Sequence, residues 1–324
     1  MQKARRKLNL RKRPKVFHEA NAANSRFFRN FACHSSTFAT HRRSNAAQTI
    51  TIMPNLMRNK KILYISQEIT PYLKATPLGS TCQMLPHKVQ EKGFEVRTFM
   101  PKYGCINERR NQLHEVIRLS GINLVIDDTD HPLIIKVATL QASRMQVYFI
   151  DNDEYFQHHA VKDLEIRETP EENDERLIFF VRGVMETVKK LRWEPAVMHC
   201  SGWVTTLSPM YIKKTYADDP TIGPSKVVYS LFDDTFPGTL DPRFVEKLKM
   251  DGFTSEELSP LGDSPVDCIA LNKLAIKYAD GVIQASPDVP EELVEYAKSL
   301  GKPFLPYQGD EIDAPQVIDF YQNL

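Results

Sequence analysis

The chain has 324 residues, a formal net charge of +1 and 42% hydrophobic residues, which is enough apolar material for one sizeable core or two small ones. Because no run of about 18 apolar residues occurs, the composition excludes a membrane-spanning helix. The five cysteines are scattered and form no Cys-x-x-Cys pair, which favours the cytoplasm as a reducing compartment and argues against structural zinc.

Charge is unevenly distributed along the chain. Residues 1–57 hold twelve of the 42 Lys and Arg residues and one of the 41 acids, Glu19, which leaves 30 basic and 40 acidic residues in the remainder. We therefore expect a disordered basic tail at 1–57, followed by one folded domain at 58–324. The tail has the composition of an organellar transit peptide or of a nucleic-acid-binding arm. The sharpness of the change favours a third explanation, a mis-assigned start with translation from Met57.

The first part of the predicted domain, residues 61–104, has the pattern of strand, loop, helix and second strand. It begins with the apolar run ILYI, and the connection that follows carries Pro71, Lys74, Pro77 and Gly79 before an amphipathic stretch begins. In open α/β sheets, ligands bind where such connections leave the carboxyl ends of the strands. This segment is therefore the first place to look for a binding site.

Further apolar patterns predict the rest of the fold. They indicate a hairpin of strands at 133–140 and 145–150, a helix within 171–193, a strand at 195–199, a strand at 226–231, and helix, turn and strand over 271–287 with a new helix from Pro287. The predicted class is α/β: a single Rossmann-like, doubly wound and mostly parallel sheet with helices on both faces.

Several of these segments resemble the amino-terminal catalytic domain of bacterial glycogen synthases and plant starch synthases, which transfer glucose from ADP-glucose to an α-1,4-glucan. The family's first loop reads Ser-Glu, then Pro, then Lys-Thr-Gly-Gly-Leu-Gly-Asp. This chain has Gln67-Glu68, Pro71 and the run KATPLGS from Lys74 to Ser80. The runs NDERLIFFVRGV and LNKLAIKYADGVIQASP resemble two further family patterns. The resemblance implies the first half of a two-domain, GT-B type glycosyltransferase.

The chain departs from the family pattern at the loops. Where the family has His-Ala-His-Asp-Trp-His after a strand, His199 and Trp203 persist, whereas the second His, the Asp and the last His are replaced by Ser201, Gly202 and Val204. Phosphate cradles rely on glycine backbone freedom and free N–H groups, and the paired glycines of the first loop are also absent.

A second loop shows the same departure. After the predicted strand at 226–231, Phe232 and Asp233 stand where the family has His and Asn. The loop can be aligned with the family's loop, but the imidazole and carboxamide groups that the family has at these two positions are absent.

The resemblance implies a short set of candidate site residues. The substrate-binding candidates are Lys74, Gly79, Glu68 and Lys273, and the weaker catalytic candidates are His199 and Asp233. Each charged candidate has a plainer alternative, since a loop lysine or acid is commonly solvated and a histidine at the end of a buried strand is commonly part of the core. We expect no metal site and no cofactor.

Three functions remain open from the sequence. The first is a glycogen or starch synthase catalytic-domain homologue without autonomous activity, because the second domain of the family and several site residues are missing. The second is a non-catalytic regulatory module that binds glucan, nucleotide or protein, and the third is half of a split glycosyltransferase. The implied partners are ADP-glucose or α-glucan, with a protein partner or a second copy across the exposed cleft face. Neither a membrane nor a nucleic acid is expected as a partner.

Overall fold

The computed structural model describes residues 60–157, 172–262, 265–309 and 313–324. The basic tail predicted at 1–57 lies outside the described residues. Among the described residues, none of the helices combines the length and the apolar character needed to cross a membrane.

The described residues form a sheet of ten strands. The strands are β1 Lys61–Ser66, β2 Glu95–Pro101, β3 His114–Glu115, β4 Ile122–Ile126, β5 Thr129–Leu140, β6 Met145–Asp151, β7 Val197–Ser201, β8 Lys226–Leu231, β9 Gly281–Gln284 and β10 Phe304–Leu305.

Eight α-helices accompany the sheet in the described part of the chain. They are α1 Pro77–Glu91, α2 Glu108–Asn111, α3 Asn173–Leu191, α4 Ser208–Lys213, α5 Phe244–Met250, α6 Cys268–Tyr278, α7 Glu291–Ser299 and α8 Ala314–Gln322.

The strand order is β10-β9-β8-β7-β1-β2-β6-β5-β3, and β4 pairs with β5 beside this path. The strands from β10 to β6 are parallel, and β3, β4 and β5 add antiparallel pairs at one edge. The predicted hairpin is confirmed, because Leu140 pairs with Met145 across the turn at 141–144. β1, β7 and β8 are neighbours, so the connections that follow them meet at the carboxyl edge of the sheet.

Helices cover both faces of the sheet, as expected for a doubly wound fold. Adjacent residues of a strand point to opposite faces. In β8, Tyr229 donates a hydrogen bond to Asn272 of α6 at 2.7 Å, whereas Ser230 lies 2.6 Å from His199, which in turn contacts Tyr321 of α8. The predicted mostly parallel α/β fold is therefore confirmed.

The long helix α3 follows from apolar residues repeated at intervals of three and four. Leu177, Val181, Val184 and Val188 are buried along one side of the helix. The helix ends where Arg192 adopts a left-handed φ of 48°. The predicted helix within 171–193 is thus confirmed.

Three predicted boundaries were wrong. The strand predicted at 195–199 is β7, Val197–Ser201. Pro77 and Gly79 were placed in the loop ahead of the amphipathic stretch, but they lie in the first turn of α1. The helix predicted from Pro287 begins at Glu291, because Pro290 has an extended ψ of 125° immediately before it. The short elements α2 and β3 were not predicted, because their residues, ERRN and HE, are polar and too few to show a period. β4 was also not predicted, although its residues INLVI form a short apolar run.

Candidate functional site

The candidate site is the carboxyl edge of the sheet, where three connections converge. These are residues 67–76 after β1, 202–207 after β7 and 232–240 after β8. Ligands of open α/β sheets bind at such an edge.

The amino-terminal end of α1 is capped by its own sequence. Thr76 is the N-cap residue, and its hydroxyl oxygen accepts a hydrogen bond from the Gly79 N–H at 2.9 Å. Pro77 occupies the first helical position, where a missing N–H group costs nothing. The Ser80 N–H bonds to the Thr76 carbonyl oxygen at 2.9 Å. Ser80 thus makes the first intrahelical bond, and the Gly79 amide, which would otherwise be available to an anion, is engaged by the Thr76 side chain.

Glu68 lies beneath this cap and is fully buried. Its Oε1 atom accepts a hydrogen bond from the Thr76 hydroxyl group. Among the described residues, its Oε2 atom has no hydrogen-bond partner. Gly79 permits the close approach of the Thr70 and Thr76 hydroxyl groups, because a Cβ atom at this position would lie 3.2 Å from both hydroxyl oxygens. The edge therefore holds a carboxylate oxygen whose hydrogen-bonding capacity is not used by described groups.

Gln67 connects the three loops. Its Nε2 atom donates a hydrogen bond to Asp234 Oδ2 at 2.6 Å, and its Oε1 atom accepts one from the Val204 N–H at 3.2 Å. Its backbone N–H bonds to the Ser201 carbonyl oxygen at 3.0 Å. Gly202, with a φ of +89°, packs directly against the Gln67 side chain.

Trp203 lies in the connection after β7, at the carboxyl edge of the sheet. It is buried, and its ring lies edge-on to Phe236 with 4.8 Å between the ring centroids. Its indole is therefore packed against protein, and its faces are not presented to solvent for sugar stacking.

His199 lies within β7 and faces α8. Its Nδ1 atom is 2.5 Å from the Tyr321 hydroxyl oxygen, and its Nε2 atom is 2.6 Å from the Ser230 Oγ atom. Burial lowers the pKa of His199 to about 3, so the imidazole is neutral at pH 7. Both ring nitrogens bond to protein groups, and the residue is 1% exposed. The structure thus places this weak catalytic candidate in the core.

The remaining candidates do not converge on one point. Lys74 and Asp233 are exposed in the connections after β1 and β8, respectively. Lys273 lies on α6, forms an ion pair with Glu292 of α7, and has its ammonium 5.9 Å from the centroid of the Tyr296 ring. Glu68, Lys74 and Asp233 lie on connections at the carboxyl edge and Gly79 lies in the first turn of α1, whereas His199 is in the core and Lys273 pairs with α7.

The three buried cysteines of the described chain are not activated nucleophiles. Burial raises the pKa values of Cys82, Cys200 and Cys268 to about 12, so these thiols stay protonated at pH 7. Within the ranges that the structure describes, no group of three or more His, Cys, Asp or Glu residues is arranged to hold a metal ion.

A buried polar cluster near the start of α3 was missed by sequence reasoning. Lys247 of α5 donates to Asp174 at 2.5 Å and to Glu175 at 2.6 Å, and Glu175 accepts a hydrogen bond from the Tyr155 hydroxyl at 2.9 Å. Tyr155 also lies 3.0 Å from His131 Nε2. Burial favours the neutral amine, but the bonds to Asp174 and Glu175 outweigh it and raise the pKa of Lys247. The sequence shows the acids in the first turn of α3. It does not show that Lys247, 73 residues after Asp174, is their partner.

Residues 61–303 match the family described as the starch synthase catalytic domain. The chain belongs to this family. Among its relatives, the glycogen synthase of Chlorobaculum parvum is 34% identical over 243 residues, which is 75% of this chain and 49% of the relative. The glycogen synthase of Chlorobium chlorochromatii is 36% identical over 195 residues, 60% of this chain and 40% of the relative. The chain thus spans about half the length of the curated relatives it matches.

A solved structure of the family shows the same fold. The catalytic domain of starch synthase IV from Arabidopsis thaliana, bound to ADP and acarbose, matches 78% of this chain and 52% of its own, with a TM-score of 0.61 and 18% identity. The expected GT-B relationship is therefore supported at the level of the fold.

Proposed function

We propose that the domain binds α-glucan at the carboxyl edge of its sheet and does not itself transfer glucose. The observation that carries this proposal is the acceptor character of the edge. Its connections carry three carboxylates, of which Asp233 is exposed while Glu68 is buried and Asp234 accepts from Gln67, and a single lysine, Lys74.

Hydroxyl groups and diphosphates differ in what they need from such an edge. A sugar hydroxyl donates to a carboxylate, and the exposed Asp233 carboxylate is available to accept from one. The diphosphate of ADP-glucose needs donors and positive charge, and it is repelled by carboxylates. The Thr76 cap already engages the Gly79 amide at the end of α1. The edge therefore suits a neutral polyol better than a nucleotide diphosphate.

The absence of transfer is proposed from the same loops. Transfer of glucose requires stabilisation of the charge that develops on the leaving diphosphate, and each donor that does so is worth orders of magnitude in rate. Ser201, Gly202, Val204 and Phe232 carry neither imidazole nor carboxylate. His199 is enclosed in the core and neutral at pH 7 because its pKa is lowered to about 3.

ADP-glucose is the second candidate ligand. The starch synthase IV structure carries ADP, and Lys74 is exposed at the corresponding first loop. A single lysine opposed by three carboxylates favours this ligand less than the glucan.

The test is a calorimetric titration of the full-length chain with maltoheptaose and, separately, with ADP-glucose. We expect maltoheptaose to bind and ADP-glucose to bind about tenfold more weakly or not at all. Tighter binding of ADP-glucose than of maltoheptaose would overturn the proposal. A protein partner or a second copy at this edge stays a prediction, which sedimentation of the same sample would test.

A further inference from the structure

Gln67 and Gly202 have complementary shapes across two loops. A Cβ atom at position 202 would lie 2.7 Å from the Gln67 Cβ atom and 2.8 Å from its Oε1 atom. It would also lie 3.0 Å from the Cδ1 atom of Leu78. Real Cβ atoms do not approach other atoms this closely, so a side chain at position 202 and the present Gln67 conformer exclude each other.

The Gln67 carboxamide is held at both of its polar atoms. Asp234 accepts its N–H at 2.6 Å, and the Val204 amide donates to its oxygen at 3.2 Å. The Tyr103 hydroxyl also donates to the Gln67 carbonyl oxygen at 2.9 Å, and the whole residue is 2% exposed. One side chain thus satisfies groups from the loops after β7 and β8 at the same time.

The two positions differ from the family pattern in a matched way. The family has Ser where this chain has Gln67, and Asp where it has Gly202. The larger side chain at position 67 therefore occupies space that the glycine at position 202 leaves open. With the present Gln67 conformer, an Asp at position 202 would not fit.

We propose that Gln67 is a built-in occupant of the inner part of the site, and we call the set of Gln67, Gly202, Val204 and Asp234 the Gln67 plug. The carboxamide makes the hydrogen bonds to Asp234 and Val204 that a hydroxyl-bearing ligand would otherwise make. It does so without the loss of translational and rotational freedom that a ligand incurs on binding. Ligand contact is thereby confined to the outer residues Lys74 and Asp233. This last step rests on the proposed function; the plug itself does not.

The direct test removes the plug. Gln67→Ser deletes the carboxamide and keeps Gly202, and Gln141→Ser, at an exposed glutamine in the turn between β5 and β6, is the matched control. Each full-length variant is titrated with maltoheptaose. We expect Gln67→Ser to bind about tenfold more tightly than the wild type and Gln141→Ser to be unchanged. A folded Gln67→Ser protein that binds no more tightly overturns the proposal.

A second measurement needs no variant to fold. The Val204 amide is bonded to the Gln67 side chain, so in the wild type we expect its hydrogen exchange to be slowed at least about tenfold relative to an open loop amide. Exchange of the Val204 amide at the rate of an open loop amide would contradict the hydrogen bond from Val204 to Gln67 and with it the proposal. The proposed function is tested by a different outcome: it is wrong if the wild type does not bind maltoheptaose. A Gln67→Ser protein that binds maltoheptaose when the wild type does not would support the plug alone.

Discussion

The Nδ1 atom of His199 lies 2.5 Å from the hydroxyl oxygen of Tyr321, which joins the central strand β7 to the last helix, α8. The Tyr321 oxygen is also 3.3 Å from the Tyr64 hydroxyl, so a chain of buried polar groups crosses this face of the sheet. Gly281 lets α8 approach, because a Cβ atom there would lie 2.7 Å from the Cζ atom of Phe320 in that helix. The histidine that persists from the family pattern thus anchors the carboxyl-terminal helix.

This arrangement makes stability depend on pH. Burial lowers the pKa of His199 to about 3 from its ordinary value of 6.5, so the unfolded chain takes up the proton first as the pH falls. The free energy of unfolding should therefore fall by about 1.4 kcal/mol per pH unit from His199 alone between pH 6 and pH 4.

Urea denaturation at pH 7, 6, 5 and 4 measures this slope. The His199→Gln variant, which does not titrate, should show a shallower slope, whereas His114→Gln, at an exposed histidine, should behave as the wild type does. Equal slopes for the wild type and His199→Gln would show that the histidine is not held neutral.

Gly202→Ala should destabilise the fold more than a typical glycine substitution. The new Cβ atom would meet Gln67 at 2.7 Å in addition to the strain of a φ of +89°. Gly93→Ala is the control, since Gly93 has a φ of +86° and no atom within 4 Å of the added Cβ. We expect Gly202→Ala to cost about 2 kcal/mol more than Gly93→Ala in chemical denaturation. Similar losses for the two variants would mean that Gln67 moves aside easily.

Lys247→Met should be strongly destabilising. It would leave Asp174 and Glu175 without their shared ammonium partner, and the Asp174 side chain is 3% exposed. Removing one partner of a buried ion pair costs about 3–5 kcal/mol. Thermal and urea denaturation would show this loss, with Lys249→Met, at an exposed lysine of the same helix, as the control. A loss below about 1 kcal/mol would show that the cluster contributes little.

Asp233→Ala tests the outer part of the proposed site. Asp233 is exposed after β8, and a carboxylate that accepts a sugar hydroxyl contributes about 1.5 kcal/mol. Affinity for maltoheptaose should fall about tenfold, while Asp128→Ala, at an exposed acid in the β4–β5 turn, should leave it unchanged. Unchanged affinity in both variants would place the glucan elsewhere.

The sequence predicted the sheet better than the site. Buried parallel strands are continuous apolar runs, which is why 226–231 was predicted with the bounds that β8 has. The α1 cap was within reach of sequence reasoning, because a threonine followed by a proline is a known helix start. It was missed because Pro77 was assigned to the connection after β1 instead of to the first turn of a helix.

The contacts that decide the site were not predictable from one sequence. Gln67 and Asp234 are 167 positions apart, and His199 and Tyr321 are 122 positions apart. Local patterns carry no information on which distant side chains meet. The sequence could therefore name His199 both as a catalytic and as a core histidine, and only its position beside α8 shows the partners that hold it.

The central claim is that the domain binds glucan without transferring glucose. The most direct measurement incubates the full-length chain with ADP-glucose radiolabelled in the glucose and with maltoheptaose, with the Chlorobaculum parvum glycogen synthase as positive control. The account predicts label in the glucan with the control enzyme and none with this chain, although the same sample binds maltoheptaose. Label transferred to the glucan by this chain would contradict it.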